Sequence, residues 1–245
     1  MNWKAPKAAE LMDVVNATWP AAREFTCGPF MLRDGENGGK RASAATLEKP
    51  DFSKTDINRA ATEMQKINQS ALFIIRKGDE KLDDSLADMG YRSFDFVTLF
   101  AAPSTMLAQH YCNEMHAISA PEPLAAMAEI WAKGDITPAR IDVMRRTDHP
   151  KTYFLGRLND TPAGAVFVAV HNSIAMIHAL EIAPDHRRQG LGLQLMAGAA
   201  TWALEQNAKT FALVVVSKNK TACALYKKLG MITAGNYHYR IKEKS

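Results

Sequence analysis

The chain has 245 residues, 47% of them hydrophobic and 23% charged, the balance of a globular protein long enough to bury a sizeable core. Thirty Lys and Arg against 26 Asp and Glu leave a net charge of only +4, too small and scattered to argue by itself for a nucleic-acid or membrane surface. No apolar run approaches the roughly 20 residues of a membrane helix, and Glu10 and Asp13 stand where a signal peptide would be apolar, so the expectation is a soluble, cytoplasmic protein.

In chain order, residues 6–17 have helical spacing and stop before Thr18-Trp19-Pro20. Strand-like runs at 25–33 and 41–46 flank Asp34-Gly35-Glu36-Asn37-Gly38-Gly39, whose composition predicts a hairpin loop. Asp56 stands as an N-cap before a helix from Ile57 to Asn68. A short apolar strand follows at 71–75. Leu82, Leu86 and Met89 share one face of a helix over 81–89, which Gly90 ends as a left-handed cap. Residues 91–101 alternate and read as a strand. The order is thus β-β-α-β-α-β after the opening helix, with a seam at Ala102-Pro103-Ser104.

Beyond the seam, helices at 124–133 and 139–146 each follow a proline suited to a first turn. Three strands are predicted at 152–158, 163–170 and 175–182, joined by Asn159-Asp160-Thr161-Pro162 and His171-Asn172-Ser173. A long helix over 190–206, a strand at 211–216, a helix over 221–229 and a strand over 232–242 complete the chain. The fold class is α/β, a mixed sheet built from an antiparallel meander followed by β-α-β-α-β. Its units are 1–103, a smaller α/β unit, and 104–245. Element order alone hints at a two-fold repeat. Cys27, Cys112 and Cys223 are odd in number, far apart and in no C-x-x-C pair, so a disulfide scaffold or zinc site is a poor reading.

The most informative segment is Ile182-Ala183-Pro184-Asp185-His186-Arg187-Arg188-Gln189-Gly190-Leu191-Gly192. A strand runs into a basic turn, and Gly-x-Gly opens a helix. Unpaired N–H groups at a helix start attract negative charge. Glycines let the backbone approach a phosphate, and Arg187 and Arg188 flank it. The bland alternative is a helix start beside two solvated arginines. A Walker loop is excluded, because no Lys-Ser or Lys-Thr follows a glycine at the required distance. A dinucleotide fingerprint is excluded by Leu195 at its third glycine.

Arg187-x-x-Gly190-x-Gly192 resembles the (Gln/Arg)-x-x-Gly-x-(Gly/Ala) signature of the GNAT superfamily of acyl-CoA N-acyltransferases, and Leu180-x-Ile182-x-Pro184 resembles the splayed strand before it. Asn219-x-x-Ala222-x-x-Leu225-Tyr226-x-x-Leu229-Gly230-Met231 resembles the second motif, with Met231 in place of the usual Phe. The likeness spans 119–240. Before residue 103 only the element order suggests a degenerate second unit, as in tandem members. Gly38-Gly39-Lys40-Arg41 fits no family motif.

The resemblance implies acetyl transfer from acetyl-CoA, as cosubstrate, to a primary amine of a small molecule or peptide. It implies pyrophosphate contacts from Arg187, Arg188, Gln189, Gly190, Leu191 and Gly192, and pantetheine contacts from Leu180, Ile182, Asn219 and Ala222. A backbone N–H near 180–182 would support the thioester oxygen. Tyr226 falls where the family places the acid for the departing thiolate. An amine nucleophile must lose its proton, which calls for a base. His178 is one candidate. The serotonin N-acetyltransferase branch carries His-x-His-x-Leu-x-Val, whose second His falls on His178 and whose first falls on Met176. Glu181 is the alternative, on the opposite face by strand alternation. The Glu that many members carry on the next strand is missing from Leu213-Val214-Val215.

The resemblance implies acceptor contacts from 121–148; Met127, Trp131, Met144, Glu122, Glu129, Asp135 and Asp142 lie there, some of them able to attract a cationic amine, though each reads first as an ordinary core or surface residue. The first unit has three open roles: capping the acceptor cleft, pairing subunits in a homodimer, or completing the fold. The rival function is a non-catalytic acyl-CoA-binding sensor or regulatory module. Nucleic-acid binding rests only on the basic charge with Arg145-Arg146 and Arg187-Arg188, so the expected partners exclude nucleic acid and membrane.

Overall fold

The computed structural model describes residues 3–111 and 116–242, which leaves Cys112 outside the described residues. Helix α1 (Ala8–Thr18) buries Leu11, Met12, Val14 and Val15. Strands β1 (Arg23–Cys27) and β2 (Phe30–Asp34) form the first hairpin. It turns at Gly28, where φ is +59°, and not at the glycine-rich loop 34–39. That loop enters the one-turn helix α2 (Lys40–Ser43), and β3 is only Thr46–Leu47, so the first half of the strand expected over 41–46 is helix. The loop's glycines serve close packing instead. A Cβ on Gly38 would lie 2.2 Å from Val143 Cγ2, and one on Gly35 2.1 Å from Ser43 Oγ.

Helix α3 (Lys54–Lys66) is capped three residues before the expected position. Ser53 is the N-cap, and Asp56 closes a capping box by accepting from Ser53 N at 3.0 Å. Then come β4 (Ala71–Ile75), α4 (Glu80–Asp88) and β5 (Arg92–Pro103). Two short elements unheralded in the sequence follow, α5 (Ser104–Ala108) and β6 (Ala117–Ala120). Helices α6 (Ala125–Lys133) and α7 (Pro138–Arg146) precede the meander β7 (Lys151–Leu158), β8 (Thr161–His171) and β9 (Ile174–Ile182). The chain then forms α8 (Leu191–Glu205), β10 (Thr210–Val216), α9 (Lys220–Lys228) and β11 (Ile232–Lys242).

Strands β1–β3 make a small antiparallel sheet. The large mixed sheet has the order β4-β11-β5-β10-β9-β8-β7-β6. Here β10 bonds β5 along its whole length, from Thr210↔Pro103 to Val216↔Val97, while β11 lies between β5 and β4. Early and late strands therefore alternate at the centre of one sheet. The order β1-β2-β3-α3-β4-α4-β5 also repeats as β7-β8-β9-α8-β10-α9-β11. A parallel bridge, Ala45↔Phe73, echoes the parallel pair β9–β10.

One face of the large sheet carries α1, α6 and α7 over Trp19, Trp131, Tyr153, Phe167, Met176 and Tyr239. The other carries α8 and α9 over Val166, Ile177, Leu195, Phe211 and Tyr226. Burial of such apolar area stabilises by about 25 cal/mol per Å². Among the described residues no helix is long and apolar enough to cross a membrane.

Candidate active site

Strands β9 and β10 pair in parallel only from Ile174↔Thr210 to Ile177↔Leu213; beyond that they part, though β9 runs on to Ile182 and β10 to Val216. Against β8, Phe167 faces His178 and Ala165 faces Glu181, so β9 advances three residues where β8 advances two. The extra residue is a bulge around Ala179, whose φ is +53°, a conformation costing about 1–2 kcal/mol for a residue with a Cβ. Trp131 Nε1 donates to the Ala179 carbonyl at 2.8 Å and holds it in place.

The bulge overturns the alternation expected for Glu181. Phe167 and Ala165 share a face of β8, so their partners His178 and Glu181 project to the same side. Glu181 reaches the loop after α6, where a Cβ on Gly134 would lie 2.7 Å from its Cδ. Leu180 and Ile182 turn to the other face and pack against the α8 core.

After a 3₁₀ turn (Pro184–His186), Gly190 caps α8 at φ +86°. The backbone N–H groups of Arg188, Gln189, Gly190, Leu191 and Gly192 meet no acceptor among the described residues; the next amide, Leu193 N, donates to Gly190 O at 3.0 Å. A Cβ on Gly190 would meet nothing within 4 Å, and one on Gly192 only Ile182 Cγ1 at 3.9 Å. Bare backbone thus faces open space at a helix start, a cradle fitted to phosphate oxygens. The two arginines diverge. Arg187 folds back, donating from Nε to Ile182 O and from a terminal nitrogen to Glu181 Oε1, each at 3.0 Å. Arg188 is exposed and unpaired among the described residues. Gln189 bonds Asp185 O at 3.3 Å.

On α9, Asn219 uses its Oδ1 to cap Ala222 N at 3.1 Å, which leaves the side-chain amide nitrogen for a ligand. Tyr226 is 8% exposed and packs on Phe100 with ring centroids 5.6 Å apart. Burial, with Cys223 beside it, pushes its phenol up to about 12. Its hydroxyl has no hydrogen-bond partner among the described residues.

His178 is 3% exposed and fully engaged. Thr18 Oγ1 gives its hydrogen to Val14 O at 2.7 Å, so it accepts from His178 Nε2 at 2.8 Å. The other nitrogen, Nδ1, then accepts from Arg41 at 2.9 Å. Burial, then Arg41 and Arg140, hold the ring's pKa well below its usual value. It is neutral, and its lone pair is occupied. Phe167 stacks on it at 5.9 Å and Trp19 lies 4.9 Å away.

Met127, Trp131 and Met144 of the expected acceptor segment are core residues, and Glu122 and Asp142 pair with Arg145 at the surface. Glu129 and Asp135 are exposed. Trp19, Arg41 and Arg140 instead surround His178. Their sequence signals were an indole beside a helix end, an arginine after two glycines and an arginine one turn into α7.

The profile of the acetyltransferase (GNAT) family matches residues 113–231, taking in the bulge, the glycine loop and Tyr226. Over that segment, just under half of the chain, the protein is similar to the GNAT acetyltransferases. The chain is 26% identical over 238 residues to the uncharacterized N-acetyltransferase YobR of Bacillus subtilis (strain 168), spanning 92% of this chain and 95% of that one. Its fold is similar to that of a GCN5-related N-acetyltransferase from Kribbella flavida, with TM-score 0.71, 17% identity and coverage of 97% and 96%. It is also similar to a tandem GNAT protein from the clavulanic acid biosynthesis pathway, with TM-score 0.62, 13% identity and coverage of 99% and 91%. GNAT proteins use acyl-CoA, and the amide cradle fits its diphosphate.

Proposed function

We propose that this protein transfers an acetyl group from acetyl-CoA to a primary amine of a small molecule or peptide by direct attack. The run of five unpartnered amides from Arg188 to Gly192 beside the parted strands carries this reading. Arg188 and those amides hold the diphosphate, and the Asn219 amide and the edge of Leu180–Ile182 hold the pantetheine arm. Bound acetyl-CoA supplies a thioester acyl group. A backbone N–H of 180–182 donates to its carbonyl oxygen. Glu181 accepts the amine's proton, directly or through water, because the His178 lone pair is taken. As the carbon–sulfur bond breaks, Tyr226 donates to the sulfur; a phenol this weakly acidic acts first as a hydrogen-bond donor and stays protonated at any working pH.

Calorimetric titration with acetyl-CoA, with coenzyme A and NADH as controls, tests the reading. Acetyl-CoA should bind at micromolar concentration, and Gly190→Leu should weaken it at least about tenfold, because a side chain there disfavours the left-handed cap and fills the cradle. Absence of binding would withdraw the proposal. The sensor reading gains from one observation: His178 is occupied and Glu181 is paired with Arg187. Tyr226→Phe separates the two. An enzyme should lose about 10²-fold or more in kcat while keeping coenzyme A affinity; a sensor has no turnover to lose.

A further inference from the structure

The motif Gly38-Gly39-Lys40-Arg41, which matches none of the motifs above, packs against α7 and reaches β9 beside its bulge. Arg41 reaches His178, the first β9 residue beyond the parallel pairing with β10. Its charge also favours ionisation of Tyr237 and Tyr239 of β11, against the burial that raises both phenols. Arg140 of α7 converges on the same place. Both guanidiniums lie over the Trp19 indole, at 5.0 and 5.9 Å from its centroid. The glycines set this approach: Gly38 is wedged against Val143, where a Cβ would lie 2.2 Å from Cγ2, and Gly39 takes φ +96°. An ion pair between Glu36 and Arg146 clamps the loop to α7.

Neither arginine has an acidic partner within ion-pair distance among the described residues. Arg41 donates to a neutral imidazole, and Arg140 has only the Asp135 carbonyl at 3.5 Å. Arg140 Nε is buried with no hydrogen-bond partner among the described residues. Burial and the neighbouring Arg41 both oppose its charge. The nearby acids are already matched: Asp95 with Lys40 and Lys218, and Glu181 with Arg187. Two half-buried like charges stacked on one ring, one with an orphaned donor, form an incomplete ion cluster. A planar anion completes it, since a guanidinium fork matches a carboxylate.

We propose that Arg41 and Arg140, floored by Trp19, bind a carboxylate on the acceptor, so that the amines acetylated here are small carboxylate-bearing amines and not polyamines or plain alkylamines. This rests on the transferase reading above and adds the substrate class. The free amine of such a molecule lies beside the bulge while its carboxylate is held by the two arginines, and the surplus positive charge repels a second ammonium.

The test uses the full chain saturated with coenzyme A for binding and with acetyl-CoA for turnover. The probes are matched pairs: β-alanine against ethylamine, L-lysine against cadaverine, and 2-aminoethylphosphonate to separate carboxylate from phosphonate recognition. Calorimetric affinity, and kcat/KM where turnover is seen, should favour the carboxylate member of each pair by about 10- to 100-fold. Arg140→Gln should bring that ratio close to one. Arg41→Gln should do the same, and Arg41→Lys should restore part of it. Acetyl-CoA titration of each variant reports whether fold and cofactor site persist. Equal or better binding of the decarboxylated members overturns the proposal, as does a ratio unchanged in folded Arg140→Gln, or a stronger preference for the phosphonate. Loss of acetyl-CoA binding in the unmodified protein would sink the transferase reading instead.

Discussion

His178 illustrates how the same residue type serves two purposes depending on its partners. On sequence it is a candidate base or a core histidine with a satisfied hydrogen bond; in the fold its Nε2–H is fixed by Thr18 and its Nδ1 by Arg41. A ring held neutral in the native state and free to protonate at about 6.5 when unfolded makes the unfolded chain the better proton binder in acid. Stability should therefore hold above pH 7 and fall as pH drops below about 6.5, with a slope approaching 1.4 kcal/mol per pH unit for one proton. Denaturant midpoints between pH 5 and 8 would read this. His178→Gln should flatten the profile, leaving the smaller effect of His171, whose pKa is lowered by burial and by His149 in the same direction. The lowered carboxylates, such as Asp83 and Asp95, lose their contribution only at still lower pH. A profile unchanged in the variant would count against this account.

Among the elements, the bulge in β9 decides most. A left-handed Ala179 opposes folding by about 1–2 kcal/mol, and the Trp131 hydrogen bond to its carbonyl offsets a comparable amount. Trp131→Phe keeps most of the aromatic packing and removes the donor. It should lower stability by about 1–3 kcal/mol and reduce kcat more than it raises KM for acetyl-CoA, because the carbonyl-facing amides of 180–182 lose their register. An equal change in both parameters would mean the bulge is held by other contacts. Ala179→Gly should partly rescue stability, since glycine takes the left-handed conformation freely.

At the scale of the molecule, the interleaved sheet makes the two repeats interdependent, and we place their boundary between Pro103 and Ser104. Without the first 103 residues, β10 would lose its partner β5, β11 would lose both neighbours, and Met176, Ala212, Tyr237 and Tyr239 would lose the cover of α1. A fragment of 104–245 expressed alone should be insoluble or lack a cooperative melt, and co-expression with 1–103 should restore both properties. A soluble, cooperatively melting fragment would show the repeats to be independent. We place the anion cradle in the second repeat. At the matching helix start, Ser53 Oγ accepts from Asp56 N and Asp56 accepts from Ser53 N, and Asp51 and Asp84 would meet any phosphate with negative charge.

Local chemistry was legible in the chain because it depends on neighbours in sequence. The apolar run 71–75, the Gly90 and Gly230 helix stops, the glycine loop and the Asn219–Met231 motif each carry their periodicity or backbone requirement within a few residues. The same locality misled over 34–46, where glycines typical of a hairpin serve instead to pack against α7, which lies 100 residues away in sequence. Nothing local marks the bulge either, since alanine has no preference for positive φ and its support is an indole on another helix. The strand exchange, the neutral state of His178 and the meeting of Arg41 with Arg140 were decided only by tertiary structure. Each is a free-energy difference set by long-range partners: edge hydrogen bonds, desolvation and the absence of a countercharge.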